Sequence, residues 1–380
     1  MKSVGNWERL GMKFKLGDIC SRLSSGKGIS AKLIDDVGKF PVYGGNGLRG
    51  YTAQSNFFGE CAIIGRQGAF CGNVRYFSGE AYMTEHAIVV CANKDNNTRY
   101  LAYLLGIMKL GRLSGQSAQP GLSVKTLAQQ DVDMPPLEQQ RKVAKILATI
   151  KKKIELNNKI NENLEQQAQA IFANMFDESN TTQATISDVS LNVTDGVHNT
   201  VHDDPEGEYL LLSCKNIKGG SLNIGTSERR ISRDTFEKLR RRTKLSKGDV
   251  LISSVGTIGE LLLLNNEPLN YEFQRSVAMV KPNPSVVSSA YLYESLLSNR
   301  AKLINSAHGA VQQCLFISDI AEFPIRIPQQ DILSEFDTIV TPMLDIVTAN
   351  ENENIKLSQL RDTLLPKLMS GEIDVSDLEF

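Results

Sequence analysis

The stretch LSVKTLAQQDVDMP at 122–135 is answered 193 positions later by LFISDIAEFPIRIP at 315–328. Residues 122–128 line up with 315–321 and 132–135 with 325–328, and the register holds beyond them. Val143, Ile150, Asn157, Leu164 and Ile171 fall on Phe336, Met343, Asn350, Leu357 and Leu364 at the same offset. Nearer the start, LGDI at 16–19 matches ISDV at 186–189, 170 positions apart. Agreement at constant register over this length identifies two copies of one unit, the second carrying a net insertion.

Each copy reads as a globular segment followed by a long helix. Short apolar runs bounded by glycine and asparagine mark strands at 61–65, 87–90, 209–212 and 249–252. Helical patterns lie late in each segment, at 98–110 and 288–304. This predicts an α+β fold of mixed strands and helices in each copy. Past Pro135-Pro136, a run free of glycine and proline carries the apolar stripe Val143, Leu147, Ile150, Ile154, Asn157, Asn161, Leu164, Ala168, Ile171. Its alternating steps of four and three are those of a coiled-coil seam, in a helix on the order of 50 Å long.

The second helix gives Ile332, Phe336, Ile339, Met343, Ile346, Asn350, Glu353, Leu357, Leu360, Leu364, with Pro342 expected to kink or break it and Pro366 to end it. Neither seam can stay exposed, so the two helices are expected to pack together, antiparallel. Asn157 and Asn350 hold equivalent seam positions, either as a buried polar pair that fixes register or as side chains turned to solvent. The expected division is a first globular domain at 1–135, a spacer helix at 136–177, a second domain at 178–328, a second helix at 329–369 and a tail at 370–380.

The bulk numbers exclude several classes. Six scattered cysteines without a C-x-x-C pair suit reduced thiols rather than a zinc ribbon or a disulfide framework. No apolar run reaches a membrane span, and the first residues lack a secretory core, so a cytoplasmic location is the default. A net charge of −1 argues against indiscriminate coating of nucleic acid but leaves room for local basic faces.

Gly45-Asn46-Gly47-Leu48-Arg49-Gly50 is a literal G-x-G-x-x-G. A dinucleotide fold needs that motif between a strand and a helix, and no helical stripe follows. It reads as a glycine turn that brings Asn46 or Arg49 close to a polymer, and no cofactor is expected on this chain. His198 and His202 lie in a segment bounded by Gly196 and Pro205, and read as loop histidines rather than metal ligands. No nucleophile elbow, metalloprotease helix or P-loop is present, and no metal site or catalytic residue is assigned.

What stands out is basic and polar. The run RRISRDTFEKLRRRTKLSK at 229–247 places Arg229, Arg230, Arg240, Arg241, Arg242 and Lys244 as candidate phosphate contacts, against a solvated charged face as the alternative. Loops holding Arg66 and Gln67, Gln116 and Gln119, Ser254 and Thr257, and Gln312 and Gln313 carry groups that pair with base edges, as Asn46 and Arg49 do. Two such readers held apart by a rigid spacer suit a split DNA site.

The chain resembles the specificity (S) subunit of type I DNA restriction–modification systems along essentially its whole length. The carrying segments are the openers at 16–19 and 186–189, LSKGDVLIS at 245–253, PPLEQQRKV at 135–143 and LRDTLLPKLMSGE at 360–372. The resemblance implies two target recognition domains, each reading one half of a bipartite duplex DNA sequence. It implies helices that set the spacing and dock two methyltransferase (M) subunits, which bind S-adenosylmethionine and methylate adenine. Motor and nuclease (R) subunits then join. Other classes left open are a stand-alone sequence-specific nuclease and a coiled-coil assembly adaptor without DNA binding.

Overall fold

A computed structural model describes residues 12–114, 121–309 and 313–379. The chain forms two compact units, one from residues up to 155 together with those from 355 onward, the other from 156–354. Among the described residues no helix is long and apolar enough to cross a membrane.

The first unit runs β1 (Met12–Lys15), β2 (Cys20–Ser25), β3 (Phe40–Gly44), β4 (Gly47–Thr52), β5 (Phe57–Gly65), β6 (Val74–Met83) and β7 (Ala87–Ala92). There follow α1 (Thr98–Ile107), α2 (Val124–Ala128), β8 (Asp131–Met134) and the start of α3 (Leu137–Met175). Six strands form one sheet in the order β2-β7-β5-β6-β3-β4, and β1 pairs with β8. Ile64, Ile88 and Val90 bury one face of this sheet beneath α1 through Tyr100, Leu101 and Leu105. Asn97 starts α1 by accepting the Tyr100 N–H at 2.9 Å, a cap worth about 1 kcal/mol.

The second unit contains β9 (Thr181–Thr185), β10 (Ser190–Asp195), β11 (Tyr209–Leu212), β12 (Ile217–Lys218), β13 (Ser221–Leu222) and β14 (Arg229–Ile231). After α4 (Arg233–Thr243) come β15 (Val250–Ser253), β16 (Leu261–Leu263), β17 (Tyr271–Phe273) and β18 (Val277–Pro282). The unit continues with α5 (Ser289–Ser298), α6 (Arg300–Asn305), α7 (Ile317–Ala321), β19 (Pro324–Pro328) and α8 (Gln330–Met369), whose last turns belong to the first unit.

The repeat is written in the strand order. Sheet β10-β18-β15-β16 repeats β2-β7-β5-β6, and the β9–β19 pair repeats β1–β8. Strand β11 lies antiparallel to β14 and parallel to β17, as β3 does to β4 and β6. Ser288 caps α5 through the Tyr291 N–H as Asn97 caps α1. Each unit is thus an α+β fold of mixed strands and helices, and the two are copies of one design.

The two long helices pack on each other inside each unit. In the first, Val143, Ala144 and Leu147 of α3 share a core with Leu364, Leu365 and Leu368 of α8. In the second, Phe172 meets Phe336 with ring centroids 6.0 Å apart. Further along, Asn161 pairs with Asn350, and Asn157 with Glu353 and Asn354, so the helices run antiparallel there. Asn157 takes the buried alternative: it is fully enclosed, and its Nδ2 donates to Glu353 Oε2 at 2.7 Å and Asn354 Oδ1 at 3.0 Å. Asn350 does not meet it but donates to Asn161 Oδ1 at 2.8 Å. Ile150 is buried, whereas Leu164, Ile171, Leu357 and Leu364 are half-buried.

Three expectations for α8 are corrected. Pro342 does not break the helix: it lies on the exposed side, where the Thr338 carbonyl that loses its N–H partner can be hydrated. Pro366 does not end it, since a proline removes only its own N–H. Its carbonyl still accepts from Ser370 N at 2.9 Å, and the chain turns out at Gly371, φ +73°. The seam also runs in a different phase. Ile339 and Ile346 are exposed and Met343 half-buried, while Val340, Leu344 and Val347 are buried. Past Phe336 both the third and fourth residues are apolar, so spacing permits two stripes and the core selects the second.

Candidate nucleic-acid interface

The G-x-G-x-x-G stretch forms the β3–β4 hairpin. Gly44 pairs with Gly47, whose φ is +103°, and β4 follows directly in place of a helix. Two other backbone segments meet this turn, and two more are hydrogen-bonded to those. A Cβ on Gly45 would lie 3.1 Å from His86 O and 3.7 Å from both Arg66 N and Gln67 O. Arg66 N donates to His86 O at 3.0 Å, and Leu122 N to Arg66 O at 2.8 Å. Gly26 N donates to Ala87 O at 3.0 Å, and Lys27 N to Met83 O at 2.9 Å. Gly26 cannot be replaced here, because a Cβ would fall 2.1 Å from Met83 O.

The second unit builds the same frame from different residues. Ser254 N donates to Ser276 O at 2.9 Å, and Leu315 N to Ser254 O at 2.9 Å. Gly196 N donates to Val277 O at 3.1 Å, Val197 N to Phe273 O at 3.0 Å, and a Cβ on Gly196 would fall 2.1 Å from Phe273 O. Gly256 at φ +78° repeats Gly68 at φ +75°. Five loops therefore converge at the same end of each sheet. The backbone is shared, and the side chains are not: Arg66, Gln67 and His86 correspond to Ser254, Val255 and Ser276.

The first edge is cationic and rich in donors. Lys27, Asn46, Arg49, Gln67 and His86 are exposed, and Arg66 is half-buried with Nη1 3.4 Å from Glu85 O. Arg75 Nη2 reaches Asn46 O at 3.4 Å. The second edge presents His198, whose Nε2 lies 2.6 Å from Asp195 Oδ2, along with Arg275, Lys215 and Gln313, all exposed. Arg242 joins it by donating to Asp195 O at 2.7 Å and Thr194 Oγ1 at 3.2 Å. Thr257 is exposed on the adjoining loop, although its carbonyl is engaged by Ser253. Gln116, Gln119 and Gln312 lie outside the described residues.

Two candidates are corrected outright. Arg240 faces inward: it pairs with the fully buried Glu272, and Nη2 donates to Pro268 O at 2.6 Å and Tyr271 O at 2.9 Å. Burial pushes the Glu272 carboxyl up, and the guanidinium pulls it back. Ser254 is buried, with its hydroxyl 3.2 Å from Arg275 O. The basic run is accordingly no continuous phosphate face. Arg229 pairs with Asp203 and Val201 O, and Arg230, though exposed, donates to Gly207 O at 2.9 Å, while Arg241, Arg242 and Lys244 are exposed on and just past α4.

The 170-residue offset that links the two openers, carried into this hairpin, matches Asn46 with Asn216, and that match is off by one. Thr84 N donates to Tyr43 O as Gln274 N does to Leu212 O, which sets Asn46 opposite Lys215. Asn216 is buried and tied to Ser213 N and Asn223 O. Lys27, His86 and Arg275 were not singled out from sequence. The shared Gly26 and Gly196, 170 positions apart, were the available signal for the first of them.

The six cysteines are free, and among the described residues no cluster of three histidine, cysteine or acidic side chains could hold a metal ion. The loop ends offer hydrogen-bond donors and acceptors on a fixed frame.

Comparison with known proteins agrees with that geometry. The family model described as "Type I restriction modification DNA specificity domain" matches twice, at residues 9–166 and 199–357. The chain is 39% identical over 141 residues to the Escherichia coli type I restriction enzyme EcoprrI specificity subunit, covering 36% of this chain and 35% of that one. It is 29% identical over 318 residues to the MjaIX specificity subunit of Methanocaldococcus jannaschii, covering 74% and 70%. The match therefore spans about a third of the first relative's length and more than two thirds of the second's. The crystal structure of a type I restriction–modification S subunit from M. genitalium superposes with a TM-score of 0.68, at 15% identity over 97% of this chain and 98% of that one, a likeness of fold. The doubled family match, on a chain whose two units repeat one fold, places this protein in the family of type I restriction–modification DNA specificity subunits.

Proposed function

We propose that each unit reads one half of a bipartite duplex DNA site through its converging loops, and that α3 and α8 set the gap between the halves. The observation that carries this reading is the shared backbone frame with divergent side chains. Two readers of one design must present the same platform and different hydrogen-bonding groups if their half-sites differ. Arginine pairs with guanine, and asparagine or glutamine with adenine, each contact worth about 1–3 kcal/mol of discrimination.

The chain itself does no chemistry in this reading. It aims a cytoplasmic complex in which two methyltransferase subunits dock on the long helices, bind S-adenosylmethionine and methylate adenine, and to which motor and nuclease subunits add cleavage. The cofactor belongs to the partners, and this chain binds none.

Single edge variants test the division of labour. Gln67→Ala is expected to relax one half-site by up to about 3 kcal/mol and leave the other intact, and Arg275→Ala the reverse. Binding-site selection on each variant reads this directly. If both half-sites changed together, or neither changed, the assignment of one reader per unit would be wrong.

A further inference from the structure

An open groove of about 1310 Å³ runs across the first unit from the recognition edge to α3. Six cations line it (Arg75, Arg99, Arg141, Lys145, Lys151 and Lys152) against the carboxylates of Glu60 and Glu155. The whole chain carries a net charge of −1, so this is a local concentration of positive charge. Arg99 is held in place: its guanidinium stacks 4.3 Å from the Tyr76 ring centre and donates to Tyr76 Oη at 3.0 Å, while that hydroxyl donates to Glu60 Oε1 at 2.6 Å. On α3, Arg141, Lys145 and Lys152 follow steps of four and seven, which keeps them on one face over about 16 Å of helix.

Arg75 links the groove to the edge, since it lines the groove and donates to Asn46 O in the hairpin turn. A duplex seated on that edge would carry its sugar–phosphate backbone toward the groove. The repeat supplies an internal comparison. At the offset that aligns the two long helices, the counterparts of Arg141, Lys145 and Lys152 are Ser334, Thr338 and Asp345. The capped helices α1 and α5 set Arg99 opposite Ala290. The fold does not demand these cations, because its second copy does without them.

We propose that this groove holds the phosphate backbone of DNA flanking the half-site read by the first unit, and that the second unit has no equivalent track. The inference rests on the reading of the edges as base readers and adds a sequence-independent grip on one side only. Neutralising Z phosphates makes log K fall with log salt at a slope of about −0.9 Z for duplex DNA.

The test uses the full chain with its methyltransferase partners, a duplex bearing the selected site, and the variant Arg141→Ala, Lys145→Ala, Lys152→Ala. The salt slope is expected to become shallower by about 2 to 3, with affinity down on the order of a hundredfold at 0.1 M salt and the loss shrinking as salt rises. The selected sequence stays the same, and phosphate-ethylation interference disappears from one flank only. The charge-keeping variant Arg141→Lys, Lys145→Arg, Lys152→Arg retains the parental slope, which separates loss of charge from loss of folding. An unchanged slope in the alanine variant, with the parental motif still selected, overturns the groove and leaves the base readers standing. An unchanged slope accompanied by loss of the methyltransferase subunits would make the groove a protein-docking surface instead. A parental complex that selects no DNA would refute the underlying reading itself.

Discussion

Replacing Arg240 with alanine separates folding from DNA binding in the basic helix. The guanidinium pairs with Glu272, which is fully buried and has Thr243 Oγ1 3.1 Å from each of its carboxylate oxygens. It also satisfies two carbonyls and lies 4.9 Å over the Phe236 ring. Removing it leaves a buried carboxylate uncompensated, at a cost of about 3–5 kcal/mol, a large share of the roughly 5–15 kcal/mol that holds a domain together. For a unit of this size that is a fall in Tm of roughly 10 °C. Arg241→Ala, one residue on and exposed, is expected within about 0.5 kcal/mol of the parent. The deficit has a defined pH dependence. Without its partner the Glu272 carboxyl rises further, so it is neutral in acid and the deficit is smallest there, growing as pH climbs past the ordinary carboxylate range. Urea unfolding of both variants across that range reads all of this. Equal stability of the two, with DNA binding lost only in Arg240→Ala, would show that Arg240 faces DNA and that the inward assignment is wrong.

Other perturbations follow from the same packing. Glu294 on α5 has a carboxylate oxygen buried without a partner, and burial, with the Glu165 charge adding to it, pushes its pKa from 4.5 to about 8. The native state therefore holds a proton that the unfolded chain releases between those values, and stability falls as pH rises through the window. Glu294→Gln should flatten that fall and gain up to about 3 kcal/mol at pH 7, less whatever its buried amide leaves unpaired; a pH–stability profile as steep as the parent's would refute the assignment. Gly196→Ala drives a methyl onto Phe273 O and should cost about 1–3 kcal/mol or more by denaturant titration. Gly106→Ala, in helix α1 with open space around it, should be neutral or gain up to about 1 kcal/mol. Reversal of that order would mean the loop frame is looser than its hydrogen bonds indicate.

Periodicity revealed much of this fold because the repeat constrains it twice. The offset linking Leu122 to Leu315 recurs as the paired hydrogen bonds Leu122 N to Arg66 O and Leu315 N to Ser254 O. What failed were inferences needing a partner distant in sequence. Arg240 looks like a phosphate contact in a run of arginines, and Glu272, 32 positions on, gives no linear sign that it is buried. The α8 stripe was ambiguous because Ile339 and Val340 are both apolar, and only contact with the core decides between them. Asn216 was matched to Asn46 because a constant offset was carried across a loop in which the register had already slipped by one. Lys27, His86 and Arg275 gain meaning only when strand ends from separate parts of the chain meet.

The most direct measurement is a selection from random duplex DNA by this chain in complex with methyltransferase subunits. Two short motifs separated by a fixed gap of unspecified bases are the result that two readers on one spacer predict. A single uninterrupted motif, or two motifs at variable spacing, would contradict the account.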